Sequence, residues 1–312
     1  MTSSRLQLGS LIFGGCLTLA IATGPAMAGT RSAVSLAGSD TGTCPLTAPC
    51  RTLAYALTQT AAGGEILVKD SAGFGPINIT QAVTIIAPNG EIGFISSPSG
   101  DAVTVNAGPT DIVILTNMYL DGLGTGGNGV TVNTTGSFSF SGTITGFTGN
   151  AINYVNGNTG GNQKLTITNS SIYNNTGGVL LKPTAGTGLF ASIRGVAFSS
   201  SGIVVDNTSA SNCKIGVLFN SSILRYMSGT AVTVNSGGVA GIFAQVYLDK
   251  SELFNLNTGL VATGAGAFIL MNESSAVNLT TLVGTSTGVV NSIGNNMVSV
   301  ATIGTLGSTP PH

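Results

Sequence analysis

Few side chains in this sequence are equipped for acid–base, nucleophilic or metal chemistry, so their positions decide what chemistry is open to it. The 312 residues include 11 Asp and Glu, 10 Lys and Arg, four Cys and one His. The His is His312, the last residue. A lone His at that position excludes a catalytic imidazole, a His-based metal site and a His pH switch, each of which needs the ring held inside a fold. The densest ionisable group is Asp249, Lys250 and Glu252, with Arg225 one repeat unit earlier. Arg225 and Glu252 each fall 11 residues after the start of their units, at 214 and 241. Stacked units would then place them about 5 Å apart. One outcome of that spacing is a solvated ion pair worth at most about 1 kcal/mol. The other is a lyase-type arginine base beside an acidic patch. The ion pair is the expectation, because no second carboxylate cluster falls at neighbouring positions. No catalytic residue is assigned.

The remaining acids are dispersed. Asp40, Glu65 and Asp70 lie near the N-terminus, Asp101, Asp111 and Asp121 are spread over two units, and Asp206 and Glu273 are isolated. Calcium takes six or more oxygens, several from carboxylates, and glycoside hydrolysis needs two carboxyls held across one bond. Neither set is visible, so no metal and no cofactor is expected. Cys44 and Cys50 sit in the turn-rich stretch TGTCPLTAPCRT and are read as a local disulfide in an oxidising compartment. Cys213 is read as a small buried hydrophobe. The net charge of −1, with scattered Lys and Arg, offers no basic stripe for nucleic acid.

What must position these residues is a repeat of about 26 residues. Units start at 82, 111, 138, 164, 190, 214, 241 and 268. Each opens with an alternating β-branched or aromatic segment, among them DIVILTN, KLTITNS, KIGVLFN and FILMNES. Each then passes through Gly, Ser, Asn or Thr into a second short apolar segment, such as GVTVN at 129 or GIVVD at 202. Period-two alternation between turn clusters indicates strands, and fixed-period self-similarity indicates a solenoid. No segment of ten or more residues in these units keeps a 3.6-residue period, which excludes helical repeats. The period is also too short for a propeller blade. Eight or nine coils at the strand spacing make a rod about 40 Å long.

Aligning the first strands places Asn117, Asn169, Asn220 and Asn272 in one slot, with Thr143, Gly195 and Lys250 between them. These asparagines are expected at coil corners, where the side chain satisfies turn backbone and tolerates left-handed geometry. A ligand-gripping polar row is the functional alternative. Phe138, Phe190, Phe243 and Phe268, near unit starts, are expected as a stacked core ladder. Tyr119, Tyr154, Tyr173, Tyr226 and Tyr247 are the candidates for surface contact.

Residues 1–28 read as a secretory signal, with Arg5, an apolar stretch from Leu11 to Ala22 and the small-x-small site Ala26-Met27-Ala28. Residues 29–64 are expected as an N-terminal cap. In it Leu53, Ala56, Leu57 and Thr60 form one face of a helix ended by Gly63-Gly64. Residues 65–300 form the solenoid and 301–312 a loose tail. No later segment is long and apolar enough to span a bilayer.

The opening SLAGSDTGTCPLTAPCRTLAYALTQTAAGGEILVKDSAGFGPINITQAVTI and the near-terminal VVNSIGNNMVS resemble secreted bacterial parallel β-helix proteins of the pectin-lyase-like fold. The resemblance covers about residues 34–300. It implies an all-β, single-stranded right-handed parallel β-helix solenoid of about 8–9 coils with a short N-terminal capping helix. That fold family includes pectate and pectin lyases, polygalacturonases, alginate lyases and phage tailspikes. Its polygalacturonases use clustered Asp residues with a His and an Arg-x-Lys, and its pectate lyases use a calcium-holding acidic cluster with an arginine base. Neither pattern is kept here.

The functional expectation is a secreted, periplasmic or cell-surface non-catalytic scaffold, either an adhesive surface protein or one that binds a polysaccharide or envelope glycan. The alternative is a polysaccharide lyase or glycoside hydrolase with an atypical site at Arg225, Asp249, Lys250 and Glu252. A third reading is a self-associating filament.

Overall fold

The computed structural model describes residues 29–186, 188–208, 213–237, 243–284, 287–304 and 307–308. The expected signal segment 1–28 and much of the expected tail lie outside the described residues.

The chain winds into an all-β parallel solenoid of about eight turns. Each turn contributes to three columns of parallel strands. The first column stacks Thr60–Val68, Val83–Ile86, the start of Ile112–Gly126, Ser137–Phe147, Asn162–Thr168, Gly188–Arg194, Lys214–Asn220, Ala244–Asp249, Ala267–Asn272 and Val289–Ile293. The second includes Ser171–Tyr173, Ala197–Ser199 and the start of Ile223–Ser236. The third includes Val130–Thr134, Asn150–Tyr154, Gly177–Leu181 and Ile203–Asn207.

In a parallel coil, the same inward position of every turn stacks on its neighbours. Ile66, Ile85, Leu115, Phe140, Ile167, Ile193, Phe219, Leu248 and Met271 form one such column in direct register, all buried. Ile95, Leu120, Ile144, Ile172, Phe198, Leu224, Leu253 and Ala276 form a second. Val105, Val132, Tyr154, Leu181, Val205, Val234 and Ala262 form a third. Each turn alone would leave these side chains in water, so stability comes from neighbouring turns. Successive turns are less regular than a fixed period suggests. Ile66 pairs with Ile85 and Ile85 in turn with Leu115, so the first of these turns is much the shorter.

Left-handed residues make the corners. Between the first and second columns, Asn117, Asn169, Ser221, Lys250 and Glu273 have φ between 44° and 58°, and Gly195 and Gly294 serve at the same place. The next corner uses Leu123, Asn174, Tyr226, Asn255 and Asn278. Asn tolerates this geometry better than other non-glycine residues. Just inside the first corner runs a buried serine ladder. The hydroxyls of Ser222, Ser251 and Ser274 accept backbone N–H groups from Val196, Ser222 and Ser251, and each donates to the carbonyl two residues earlier.

The N-terminal helix is Leu53–Thr58, with Leu53, Ala56 and Leu57 buried and Thr52 capping the Tyr55 N–H. It is shorter than the sequence suggests, and it ends before Gly63-Gly64. The Thr60 hydroxyl donates to the Ala56 carbonyl that a helical N–H at position 60 would have used, and Thr60 already opens the first long strand. Ahead of the helix, Cys44 and Cys50 form a disulfide, and the segment they close hydrogen-bonds to Ala33 in the strand Gly29–Val34 and to Ser35 just beyond it. Asp40 accepts from the Arg51 and Thr52 backbone and from the Thr52 hydroxyl. Desolvation works against its charge, but these bonds and the Arg51 charge prevail and hold its pKa below the usual value. No helix among the described residues is long and apolar enough to cross a membrane.

Candidate functional site

The structure does not bring Arg225 and Glu252 together. Arg225 is in register with Phe254, and Glu252 with Ile223 and Ser275. The turn here is longer than the sequence units imply, so the two side chains sit two positions out of step. The Arg225 guanidinium instead lies 5.8 Å from the Tyr226 ring, which meets Phe254 edge-on at 6.2 Å. Lys250 is a left-handed corner residue whose ammonium is 3.6 Å from Glu273, both exposed. Such a pair adds little stability.

The single asparagine slot also needs correction. Thr168, Arg194, Asn220, Asp249 and Asn272 share one register position. Asn169 lies one residue further on and, like Asn117, takes the left-handed corner. In the Asn220 and Asn272 turns that corner falls to Ser221 and Glu273, so those asparagines remain on the strand. There they bracket Asp249. The Asn220 Nδ2 donates to Oδ2 and the Asn272 Nδ2 to Oδ1, each at 2.7 Å. This carboxylate joins three turns. Asp249→Ala strips both amides of their acceptor and is expected to lower stability by about 1–2 kcal/mol in a urea titration. Asp249→Asn, which retains one acceptor oxygen, is expected to fall between. An Asp249→Ala variant as stable as wild type would show that the bracket contributes nothing.

Other carboxylates are similarly engaged. Asp70 accepts from Ser35 and the Leu36 N–H, Asp101 from Asn128 and Thr131, Asp111 from the Gly108 N–H, and Glu65 pairs with Arg31. Asp206 meets Lys182 at 2.7 Å and accepts from Thr208. Partial burial opposes its charge, but Lys182 and Thr208 outweigh that and leave its pKa lowered. Among the described residues, no three His, Cys, Asp or Glu side chains converge as a metal site. Cys213 is buried, and burial pushes its thiol up to about 11, against the thiolate a nucleophile needs.

What the structure does assemble is a groove on the outer face of the first column. Lys164, Phe190, Gly216, Gln245 and Phe268 form one row in direct register. Leu218, Tyr247 and Leu270 form the adjacent row. Two adjoining depressions of about 360 and 280 Å³ share Phe190 and Gly216. Phe190 is 53% exposed and Tyr247 41%. Gly216 leaves a gap in the row, and the Phe190 ring leans towards it, 4.0 Å from where a Cβ would stand. Lys214 lines the same depression as Lys164, with its ammonium 5.4 Å from the Phe243 ring.

The expected phenylalanine core ladder therefore fails except at Phe138, which is buried. Phe138 pairs with Leu165, whereas Phe190 pairs with Lys164, one residue earlier. A one-residue offset turns a side chain to the opposite face. Among the tyrosines, Tyr226 and Tyr247 are exposed, whereas Tyr154 is buried as a core rung. Tyr119 and Tyr173 are partly covered and bond to each other through their hydroxyls at 3.2 Å. That hydrogen bond, with some burial, pushes the Tyr119 hydroxyl up to about 12.

A second recess lies where the second column turns into the third, and among the described residues no ionisable side chain lines it. No protein-family model, curated protein or solved structure matches the chain.

Proposed function

We propose that this chain is a secreted, non-catalytic β-helix scaffold that binds an extended polysaccharide along the groove of the first column. The observation that carries this reading is the exposed pair Phe190 and Tyr247 about the side-chain-free Gly216, flanked by Gln245, Lys164 and Lys214. An aromatic face left in water accepts the C–H face of a sugar ring, removing apolar area from solvent on both sides. Gln245 offers donor and acceptor to ring hydroxyls. The two ammonium groups favour a polymer carrying carboxylate or sulfate groups at intervals. A straight row along stacked strands suits a linear chain. The Cys44–Cys50 disulfide fits a non-cytoplasmic setting, and residues 1–28 have the pattern of an export signal. The likeness of the sequence to pectin-lyase-like β-helices supports a polysaccharide ligand. Nothing specific favours lyase chemistry, since Arg225 and Glu252 are out of step.

A glycan array and affinity electrophoresis in neutral and acidic polysaccharides test this. Binding is expected to weaken at least about tenfold in Phe190→Ala/Tyr247→Ala, roughly the loss of two aromatic contacts. The variant's stability should stay within about 0.5 kcal/mol per exposed site. Uniform absence of binding, or a double variant that binds as wild type does, would overturn the reading.

A further inference from the structure

The two ends of the solenoid are finished differently. At the first end, the helix buries Leu53, Ala56 and Leu57 against the opening turns, and the Cys44–Cys50 segment occupies the free edge of Gly29–Val34. At the last end, Met297–Thr302 pairs with Ser275–Val283, and among the described residues no strand lies on its other side. Gly307–Ser308 pairs with Asn291 and Ser292 in the first column, so it leaves this strand uncovered. The Met297 N–H donates back to the Ser274 carbonyl, and the Ile303 carbonyl accepts from the Val283 N–H of the previous turn. Backbone polar groups alternate in direction along a strand, so those of Val298, Val300 and Thr302 point out of the last turn.

The core is open at the same place. Val298 continues the inward column of Leu253 and Ala276. Leu253 and Ala276 are buried by the turn that follows each of them, whereas Val298 is 37% exposed and nearby Ile303 50%. Natural edges are usually blunted by charge, by proline or by a covering segment. Here no Lys, Arg, Asp or Glu follows Glu273, and no proline falls within 297–302. A charge-free edge strand built on Val and Thr has the composition that pairs with another strand.

We infer that Met297–Thr302 is the contact surface of a homodimer, in which two copies of this chain meet end to end about a two-fold axis. The two strands then run antiparallel, and each offers the N–H and C=O groups that the other lacks. The apolar side chains at the two open ends cover one another, which removes them from water. No like charges meet across the axis, because neither edge carries any, and a net charge of −1 opposes the approach little. Assembly stops at the pair, because the first end is closed. Growth beyond the pair requires that end to open as well, which is the association expected of a chain without its disulfide. The groove lies on the side of the rod and takes no part, so this inference does not rest on the polysaccharide reading.

Sedimentation velocity of the mature chain across the micromolar range is expected to show one reversible monomer–dimer step. Val298→Lys sets two ammonium groups near each other across the axis. Val298→Pro removes an N–H that only the partner copy uses and keeps the bonds to Ser275–Val283. Each variant is expected to weaken the dimer at least about tenfold while the far-ultraviolet spectrum stays native. Hydrogen exchange of the wild type, read residue by residue by NMR, keeps the test decisive if neither variant folds. The amides of Val298, Val300 and Thr302 should exchange more slowly as concentration rises, and those of Lys214–Asn220 should not change. The inference fails if the chain stays monomeric throughout, if it grows into larger assemblies with the disulfide intact, or if a folded variant dimerises as wild type does. It fails equally if the three amides are protected to the same extent at every concentration, which would mean that the chain's own residues cover the edge.

Discussion

Phe140→Ala is expected to destabilise the protein by about 3–5 kcal/mol, as for large-to-small changes in well-packed cores. Phe140 is 1% exposed and sits directly between Leu115 and Ile167 in the inward column of the first sheet. In a globular core, neighbours from several elements relax into a cavity. Here the rungs above and below are fixed by their own strand pairing, so the void stays open. The damage also lands on two interfaces at once, because each turn is held only by the turns it touches. Urea unfolding followed by circular dichroism measures the effect, with Phe190→Ala as the comparison. Phe190 is the same residue type in the same column of strands, but on the outer face, and its loss should cost no more than about 0.5 kcal/mol. If Phe140→Ala and Phe190→Ala cost the same, the assignment of inner and outer faces is wrong.

That contrast marks where the sequence is readable. Alternation states that a segment is a strand, and repetition states that strands stack, so the solenoid was legible from segments such as KLTITNS and KIGVLFN. Inner and outer faces depend on register to the single residue, and turns of unequal length defeat a fixed ruler. Phe138 and Phe190 look equivalent in the sequence and point to opposite sides. Arg225 and Glu252 look stacked and are two positions apart, because the turn between them is longer than the repeat suggests. The Asp249 bracket was missed for the same reason, since Asn220, Asp249 and Asn272 align only when the insertion is known. The serine ladder left a fainter trace. The strings NSS at 169 and 220, DKS at 249 and NES at 272 all end a first strand with Ser in or near the third place, and they could have marked a buried polar column. The groove had no trace of its own, because it opens where Gly216 lacks a side chain between turns.

Replacing the disulfide, in Cys44→Ser/Cys50→Ser, is expected to cost about 2–3 kcal/mol by the chain-entropy argument for a loop this short. Cys44 and Cys50 are six residues apart and both fully buried. The cost should also have a second component that a simple cross-link would not produce. The Cys44 carbonyl accepts from the Ala33 N–H, the Cys50 N–H donates to the Ala33 carbonyl, and the Cys50 carbonyl accepts from the Ser35 N–H. The cross-linked segment thus occupies the outward hydrogen-bonding edge of Gly29–Val34, whose other edge pairs with the next turn. An uncovered parallel edge is a template for another chain. Loosening the segment should therefore lower the melting temperature and make the protein associate. Melting curves and concentration-dependent light scattering, with and without reductant, separate the two effects. A fall in Tm with no association would mean that the disulfide only restricts the unfolded chain. Association that appears in the variant and in reduced wild type, but not in the oxidised protein, would show that the bond keeps one end of the solenoid closed. Because coupling passes only between adjacent turns, the groove some five turns away should keep its ligand in either case.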